Sequence, residues 1–396
     1  METLERVKNL SKDLFAEIVS LREYFHQYPE LSFKEYKTST RIASELDNIG
    51  IPYTSGIVNT GIIAIIEGAK PGPTIGIRAE LDALPINEET GLSYSSTNPN
   101  VMHACGHDVH MANLIGIAKI LWQFQKDMSG KVMLIFQPGE ELLPGGAKGI
   151  IESEIFQKNK PDIMIGMHTL PELSMGKVGF CSGPYMASGD EIYITVKGKG
   201  GHAALPHTLI DPVLIASHII VGLQQVVSRK NPDSIPTVLS FGKVIANGAN
   251  NVIPDEVTIE GTFRTMDETW REKAHQHIIR LAEGIASSME GKCVVEIRNG
   301  YPSLSNDGKL TQFAASCAMD YLGENNVVDL PIRMTTDDFA YYSAIIPSVY
   351  FRIGTRKEQD PSLSLHSSKL IVDNKVLENS VGLTSWMILQ LLSHYH

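Results

Sequence analysis

Short, nearly continuous apolar runs alternate with helical segments between about residue 60 and residue 170. These runs are GIIAIIEG, TIGIRAEL, KVMLIFQ and DIMIGM, and a similar run, PSVYFRIG, returns near residue 350. Strands that are apolar on both faces are typical of a parallel sheet covered by helices on each side. The pattern therefore predicts an α/β domain with a mainly parallel sheet.

The middle of the chain follows a different pattern. In DEIYITVKGK and EVTIEGTFR apolar side chains occupy every second position, which is typical of strands that bury one face. A helical segment follows each: Asp211 and Pro212 suit the start of the first, and apolar residues three or four apart, from Trp270 to Ile285, mark the second. The order strand, helix, strand, strand, helix, strand predicts an α+β (βαββαβ, ferredoxin-like) domain. We therefore expect a domain formed by residues 1–185 and 299–396, interrupted by an inserted domain at 186–298.

Length and composition narrow the class of protein. A chain of 396 residues suits two domains, and a net charge of −11 without basic, aromatic-rich clusters argues against nucleic acid as a partner. The N-terminal segment has a charged helical pattern rather than that of a signal peptide, and no apolar run approaches the roughly 20 residues of a membrane span. Four widely spaced cysteines without a pairing pattern predict a cytoplasmic protein.

Metal-compatible side chains follow several of the predicted parallel strands. TIGIRAEL leads to Asp82, KVMLIFQPG to Glu140 and Glu141, and DIMIGM to His168. Ligands of such sheets bind outside the carboxyl ends of the strands, so these side chains are expected at one edge. The segment MHACGHDVH, which precedes another predicted helix, falls in a connection at the same edge.

Cys105 and His107 within that segment are two residues apart, so in extended chain both point to the same side. With Glu141 and His168 they offer thiolate, imidazole and carboxylate ligands, a set that suits zinc or a similar divalent ion. Glu140 points elsewhere than its neighbour and is a candidate general base for an attacking water.

Other polar residues near these positions have supporting interpretations. Asp82 is a candidate for orienting a metal-bound histidine through its second ring nitrogen. For His103 and His110 two readings stay open, namely orientation of the ligands and a plain structural role. The remaining cysteines are expected to be buried small hydrophobic residues: Cys181, Cys293 and Cys317.

Several long motifs, in order along nearly the whole chain, resemble those of one family. They are FHQYPELSFKEYKT, RAELDALPI, MHACGHDVHMA, QPGEE, GGAKGIIES, GKGGHAALPH, NVIPDEVTIEGTFRT and TTDDFAYY. The chain resembles the aminoacylase-type metalloamidohydrolases of the zinc metallopeptidase group, which includes hippurate hydrolase, the plant indole-acetyl-amino-acid hydrolases and N-acetyldiaminopimelate deacetylase.

The resemblance implies a site for two divalent metal ions, zinc or else manganese, cobalt or nickel. Its ligands would be Cys105, His107, Glu141, His168 and His366, of which His366 in LSLHSSKL is indicated by the resemblance alone. By the same similarity Cys105 bridges the two ions, Glu140 is the general base and Asp82 lies behind the site.

The resemblance also assigns roles to the inserted domain, which acts as a lid and forms a homodimer in such enzymes. His202 matches a residue that polarises the scissile carbonyl, often in the partner subunit's site. Asn251 and Arg264 match positions that hold the substrate and its carboxylate. Arg264 has support from the residues themselves, since it lies on the polar face of its strand and a guanidinium binds a carboxylate in two parallel hydrogen bonds.

The chain departs from the family pattern in three places. Glu80 replaces the usual aspartate of its motif, and Asp337 replaces the usual glutamate before DF. The loop PGEELLPGGA is slightly longer and more apolar than the common form. These changes bear on substrate range more than on reaction type, because the ligand residues are intact.

Together these features predict a cytoplasmic, homodimeric metallohydrolase that splits N-acyl amino acids into a carboxylic acid and a free amino acid. A metallocarboxypeptidase or dipeptidase on the same framework is an alternative. A hydrolase that uses Cys105 as its nucleophile is another. A non-catalytic small-molecule binder with the same fold is a third.

Overall fold

The computed structural model describes residues 2–357 and 364–395. The chain divides into two compact units. The first consists of Met1–Gly183, Ser305–Pro331 and Asp338–His396, and the second of Pro184–Leu304 and Ile332–Asp337. The short return segment Ile332–Asp337 lies in the second unit, although the sequence pattern placed it in the first domain.

Within the described residues the helices and strands are as follows. The helices are α1 (Glu2–Gln27), α2 (Tyr36–Ile49), α3 (His107–Phe124), α4 (Ala147–Glu152), α5 (Glu154–Lys158), α6 (Pro212–Gln225), α7 (Glu268–Ser288), α8 (Gly308–Leu322), α9 (Ala340–Ser343) and α10 (Val376–His394). The strands are β1 (Tyr53–Ile57), β2 (Gly61–Glu67), β3 (Lys70–Glu80), β4 (Ser129–Gln137), β5 (Ile163–Ser174), β6 (Val178–Phe180), β7 (Gly183–Met186), β8 (Asp190–Lys197), β9 (Gly201–His202), β10 (Thr237–Ile245), β11 (Val252–Ile253), β12 (Glu256–Thr265), β13 (Lys292–Asn299), β14 (Leu304–Asn306), β15 (Val327–Asp329) and β16 (Ser348–Arg356). None of these helices is long and apolar enough to cross a lipid bilayer.

The described residues of the first unit form an eight-stranded sheet with the order β1-β2-β4-β3-β5-β16-β6-β15. The central strands β4, β3, β5 and β16 are parallel to their neighbours in this run. By contrast, β2 is antiparallel to both β1 and β4, and β6 is antiparallel to β16. The sheet is therefore mixed. Four of its seven strand pairs are parallel, including β6 with β15 at one end, and the pairs β1-β2, β2-β4 and β16-β6 depart from the predicted parallel arrangement.

The error at β2 has a simple physical origin. Most of β2 is buried, as its apolar sequence predicts, but burial on both faces does not fix strand direction. Direction is set by the connection to β1, a tight turn in which Val58 and Asn59 adopt positive φ angles of 50° and 79°. Such a short connection joins antiparallel strands, whereas parallel neighbours need a long crossover.

Helix α3 lies in the interior of the first unit and begins at a functional segment. Between His107 and Phe124 every side chain is buried except those of Lys119, Trp122 and Gln123. A helix that is apolar on nearly all sides belongs in a core, and α3 packs against α1, α10 and β3. The core thereby fixes the position of His107, the first residue of the helix.

The second unit contains a four-stranded antiparallel sheet with the order β10-β12-β8-β13. Along the chain its main elements follow as β8, α6, β10, β12, α7 and β13. The predicted cap of α6 is confirmed, since the Asp211 side chain accepts hydrogen bonds from the N–H groups of Val213 and Leu214. Apolar side chains of both helices and the sheet form the unit's own core.

Candidate metal centre and active site

The segments that carry the predicted ligands meet at one edge of the sheet of the first unit. Asp82 follows the end of β3, Glu140 and Glu141 follow the end of β4, and His107 begins α3. His168 lies inside β5, which continues to Ser174 rather than ending at the histidine as the sequence suggested.

The five predicted ligands form overlapping groups. Side-chain ligand atoms of Cys105, His107 and His168 lie within 4.8 Å of one another, and so do those of Cys105, Glu141 and His366. Cys105 Sγ is 3.4 Å from His168 Nε2, and His366 Nε2 is 3.2 Å from Glu141 Oε1. Cys105 belongs to both groups, and the two groups together could hold two metal ions.

A turn, and not an extended segment, brings Cys105 and His107 together. Gly106 between them has a φ of 85°, and the helix starts at the next residue. A Cβ atom on Gly106 would lie 2.6 Å from Thr169 Oγ1, so the close approach also requires glycine. Cys105 and His107 are close together as the two-residue spacing predicts, but the cause is a turn at Gly106 and not an extended chain.

The hydrogen bonds of His107 fit a metal ligand. Its Nδ1 lies 2.8 Å from the backbone carbonyl oxygen of Asp82, so this nitrogen carries a hydrogen. Its Nε2 is buried and has no hydrogen-bond partner among the described residues. A histidine that donates from one nitrogen and directs the other into a group of ligands is the usual arrangement at metal sites.

The charges around His107 favour a cation. Burial lowers the pKa of His107, but a hydrogen bond to Asp82 and the negative charges of Glu80 and Glu141 outweigh it and raise that pKa to about 10. The same charges that retain a proton on Nε2 stabilise a metal ion in its place. With thiol, imidazole and carboxylate donors together, the residues suit zinc or a related divalent ion.

The surroundings of Cys105 argue against the thiol nucleophile considered above. Burial, together with the charges of Glu141 and Glu140, raises the pKa of Cys105 well above its ordinary value. A nucleophilic cysteine needs the opposite shift, since the thiolate is the reactive form. Burial also lowers the pKa of His168 well below its ordinary value, with the charge of Arg352 adding to the effect, which leaves a neutral imidazole suited to ligation.

Asp82 connects two of the ligand-bearing segments. Its Oδ2 accepts hydrogen bonds from the backbone N–H of Glu141 at 2.9 Å and from Ser32 Oγ at 2.7 Å. Burial raises the pKa of Asp82, but its hydrogen bond and charge interaction with His107 prevail and lower it. Asp82 is therefore ionised and lies behind the ligands.

Glu140, the predicted base, is buried, and its carboxylate lies within 4.8 Å of the ligand atoms of His107 and Glu141. A carboxylate at this place is close enough to the ligand group to exchange a proton with a water molecule bound there.

His110 and His103, for which the sequence left two roles open, differ in their hydrogen bonds. The backbone N–H of Thr169 donates to His110 Nε2 at 3.0 Å, so His110 Nδ1 carries the hydrogen that faces Glu80 Oε2 at 2.8 Å. Both nitrogens of His110 are thus engaged, and the ring supports the chain next to His168. His103 is also buried, but neither ring nitrogen has a hydrogen-bond partner among the described residues.

The predicted substrate residues lie in the second unit. His202 in β9 is exposed and accepts a hydrogen bond from the N–H of Ala204 at 3.2 Å. The carbonyl oxygen of Asn251 accepts from the N–H of Ala203 at 3.0 Å, which places Asn251 beside His202. Arg264 in β12 is half-buried and donates from Nη1 to the carbonyl oxygen of Met334 at 2.9 Å.

Two sequence expectations at other positions need correction. Cys181 and Cys293 are only half-buried, and of the three remaining cysteines Cys317 alone is buried. Cys293 is on β13, an edge strand in which even the side chains that pack against the core, Cys293, Val295 and Ile297, are only partly buried. The carboxylate of Glu80, which replaces the usual aspartate, is buried and contacts both Arg78 and His110.

His366 is the candidate ligand that residue patterns did not indicate. It sits outside regular secondary structure with a φ of 65°, and its side chain is 53% exposed. Its backbone N–H donates to the carbonyl oxygen of Ala104 at 2.8 Å, which brings it to Cys105. No periodicity or strand end marks such a position, so only the resemblance could indicate it.

Several known proteins are similar to this chain. A model of Peptidase family M20/M25/M40 matches residues 76–381. The chain is 38% identical to an N-acetyl-L-cysteine deacetylase of Bacillus subtilis over 366 residues (92% of this chain, 86% of the relative). It is 39% identical to an N-acyl-L-amino acid amidohydrolase of Geobacillus stearothermophilus over 304 residues (77% and 82%). Among solved structures, a dinuclear metal-binding peptidase of the M20 family from Bacillus subtilis superposes with a TM-score of 0.83 at 34% identity (96% of this chain, 99% of that chain).

The chain belongs to Peptidase family M20/M25/M40. It is a metal-dependent amide hydrolase, in agreement with the ligand groups around Cys105.

Proposed function

We propose that this protein hydrolyses the amide bond of N-acyl amino acids, releasing a carboxylic acid and a free amino acid. The observation that carries the proposal is the pair of ligand groups that share Cys105, with the buried carboxylate of Glu140 beside them. The names of the deacetylase and amidohydrolase relatives support the choice of an N-acyl amino acid as substrate.

We assign the metal ions to Cys105, His107, Glu141, His168 and His366. Zinc fits this donor set, and manganese, cobalt and nickel are the alternatives to test. When bound, two such cations lower the pKa of water and stabilise negative charge on a carbonyl oxygen.

Other residues of this chain have the remaining roles in the proposed reaction. Glu140 takes the proton of the attacking water and delivers it to the leaving nitrogen. Asp82 holds His107 and the Glu141 segment in place. His202 donates to the carbonyl oxygen, while Asn251 and Arg264 bind the substrate, with the Arg264 guanidinium on its carboxylate.

We assign the roles of lid and dimerisation domain to the second unit. The strand order β10-β12-β8-β13 with α6 and α7 supports a ferredoxin-like fold for it. Apolar side chains on α6 and on the edge strand β10 are exposed, among them Leu214, Val221 and Val244, at 50%, 74% and 51%. Exposed apolar side chains of this kind are typical of a subunit interface and support a homodimer. The free cysteines support a cytoplasmic location.

The proposal is tested by turnover measurements on protein loaded separately with zinc, manganese, cobalt or nickel. Each form is offered a series of N-acetyl and longer N-acyl amino acids, and matched dipeptides with a free amine. We expect faster turnover of N-acyl amino acids. Faster cleavage of the dipeptides would favour the peptidase alternative, and stoichiometric metal without hydrolysis of any substrate would favour a binding protein.

A further inference from the structure

A buried carboxyl group at Glu35 has no role in the site as proposed. The residue immediately precedes α2, and its side chain is completely buried. Burial raises the pKa of Glu35 to about 7, although a hydrogen bond from Thr60 opposes this. Burying a carboxyl group costs free energy unless its oxygens are hydrogen-bonded. The hydrogen-bond partners of Glu35 therefore indicate its role.

Both oxygens of Glu35 are paired, and one of them joins two separate segments. Oε1 accepts hydrogen bonds from the backbone N–H groups of Phe33 at 2.9 Å and Gly139 at 3.0 Å. Oε2 accepts a hydrogen bond from the hydroxyl of Thr60 at 2.6 Å. Oε1 therefore contacts Gly139, the residue directly before Glu140, and Oε2 contacts Thr60, the residue directly before β2.

The two residues that share Oε1 are held in an unusual conformation. Gly139 has a φ of 66° and Phe33, which is not a glycine, has a φ of 62°. They are in direct contact, because a Cβ atom on Gly139 would lie 2.4 Å from Cζ of the Phe33 ring. A left-handed phenylalanine is sparsely populated and persists only where its surroundings enforce it. Glu35 supplies part of that enforcement for both residues.

A matching contact lies on the other side of Glu140. The N–H of Gly139 donates to Glu35, and the N–H of Glu141 donates to Asp82 at 2.9 Å. The backbone on each side of Glu140 is thus tied to a buried carboxyl group. Neither contact uses the Glu140 side chain.

We propose that Glu35 is a positioning residue that fixes the backbone of Glu140 from its N-terminal side. This inference rests on the proposed function, in which Glu140 is the general base. A base displaced by about 1 Å loses about a hundredfold in rate, so a fixed backbone has direct catalytic value.

Three variants separate this role from a purely structural one. Glu35→Ala leaves the N–H groups of Phe33 and Gly139 without their acceptor. Glu35→Gln is the conservative variant, because its amide oxygen can accept from both N–H groups and its amide nitrogen can donate to the Thr60 hydroxyl. Thr60→Val is the matched control, since it removes the contact to Oε2 at an equally buried place and leaves the bond to Gly139 intact.

We expect Glu35→Ala to lower kcat about a hundredfold with KM and metal content unchanged. Glu35→Gln restores most of that loss, and Thr60→Val lowers the melting temperature without lowering kcat. If Glu35→Ala does not fold, Glu35→Asp replaces it, because the shorter side chain cannot reach both N–H groups. An equal loss of kcat in the shortened variant and in Thr60→Val, or no loss in either, overturns the proposal.

Amide hydrogen exchange of residues 139–141 gives a readout that does not depend on activity. Exchange should accelerate in Glu35→Ala, or in its Asp replacement, and stay unchanged in Thr60→Val and Glu35→Gln. If the native protein hydrolyses no N-acyl amino acid, the proposed function fails while this measurement still decides the positioning role. Unchanged exchange in the shortened variant shows that Glu35 does not fix the loop.

Discussion

The backbone N–H of Glu141 donates to Oδ2 of Asp82 over 2.9 Å. Because the carbonyl oxygen of Asp82 is also 2.8 Å from His107 Nδ1, this one residue holds two of the ligand-bearing segments together. The position of the ligands thus depends on a residue that itself contacts no metal in the proposed site.

Replacing Asp82 should therefore weaken metal binding. Asp82→Asn removes the negative charge behind His107 and weakens the acceptor for the Glu141 N–H, and outer partners of metal ligands typically contribute about 10–100-fold in affinity. Competition with a chromogenic chelator measures this loss. Ser32→Ala, which removes only the hydroxyl contact to Oδ2, is the control and should retain most of the affinity. Unchanged affinity in Asp82→Asn would contradict the role.

Glu140→Gln should retain its metal and lose activity. The amide has nearly the shape of the carboxylate but cannot take a proton, and general bases contribute about 10²–10⁴-fold. Metal content by elemental analysis and kcat on the best N-acyl amino acid test the two halves of this prediction. Near-normal turnover in the variant would remove Glu140 from the mechanism.

Arg264→Met should weaken binding of substrates that carry a free carboxylate. Loss of a charged hydrogen bond costs about 1.5–3 kcal/mol, which corresponds to a rise in KM of about ten- to a hundredfold. The matched comparison is the same N-acyl amino acid as its carboxamide, for which the variant and the native protein should have similar KM. An equal rise for both substrates would point to a structural role through the Met334 carbonyl instead.

An acid-sensitive ion pair stabilises the second unit. The buried Asp190 carboxylate accepts hydrogen bonds from Arg271 and from His275 Nε2 at 2.7 Å. Burial raises the pKa of Asp190, but hydrogen bonds from His275 and Arg271 outweigh it and lower that pKa below the ordinary 3.8. The contribution of this carboxylate is therefore complete above its unfolded pKa and is lost as the pH falls through the folded one.

Asp190→Asn should lower the free energy of unfolding by about 3–5 kcal/mol at pH 7, because it removes the buried carboxylate that pairs with Arg271 and leaves the half-exposed Glu268 as the carboxylate beside that arginine. The native protein should lose this advantage over the variant below about pH 3.9, as the carboxylate becomes protonated. Urea unfolding across this pH range measures both effects. Glu268→Gln is the control, since Glu268 contacts the same arginine but is 48% exposed, and it should cost less than about 1 kcal/mol.

Residue patterns predicted much of the site because strand ends are easy to locate. The apolar runs of β3 and β4 mark where Asp82, Glu140 and Glu141 follow, and the sheet brings those ends together. Residue patterns predicted less about the backbone conformation between helices and strands. The positive φ of Gly106 turns the chain so that Cys105 and His107 converge, and a backbone angle of this kind has no hydrophobic period.

Residue patterns also could not predict strand direction or contacts between residues that are far apart in the sequence. Apolar content revealed that β2 is buried but not that its short turn to β1 makes it antiparallel. Residue patterns could not indicate His366 or Glu35 for a different reason. The backbone N–H of His366 donates to the carbonyl oxygen of Ala104, and the Glu35 carboxylate accepts from the N–H of Gly139. In both cases the partner is far away in the sequence.

The place of β16 in the sheet has a consequence for biosynthesis. This strand, Ser348–Arg356, lies between β5 and β6, and within it Arg352 is in register with His168. While the ribosome is still making the intervening chain, the edge of β5 has no permanent neighbour, and such an edge is a template for wrong pairing. Neither the sheet nor the proposed metal centre is complete until β16 and then His366 emerge. We infer that nascent chains are most vulnerable to aggregation late in synthesis, after the second unit has had time to fold.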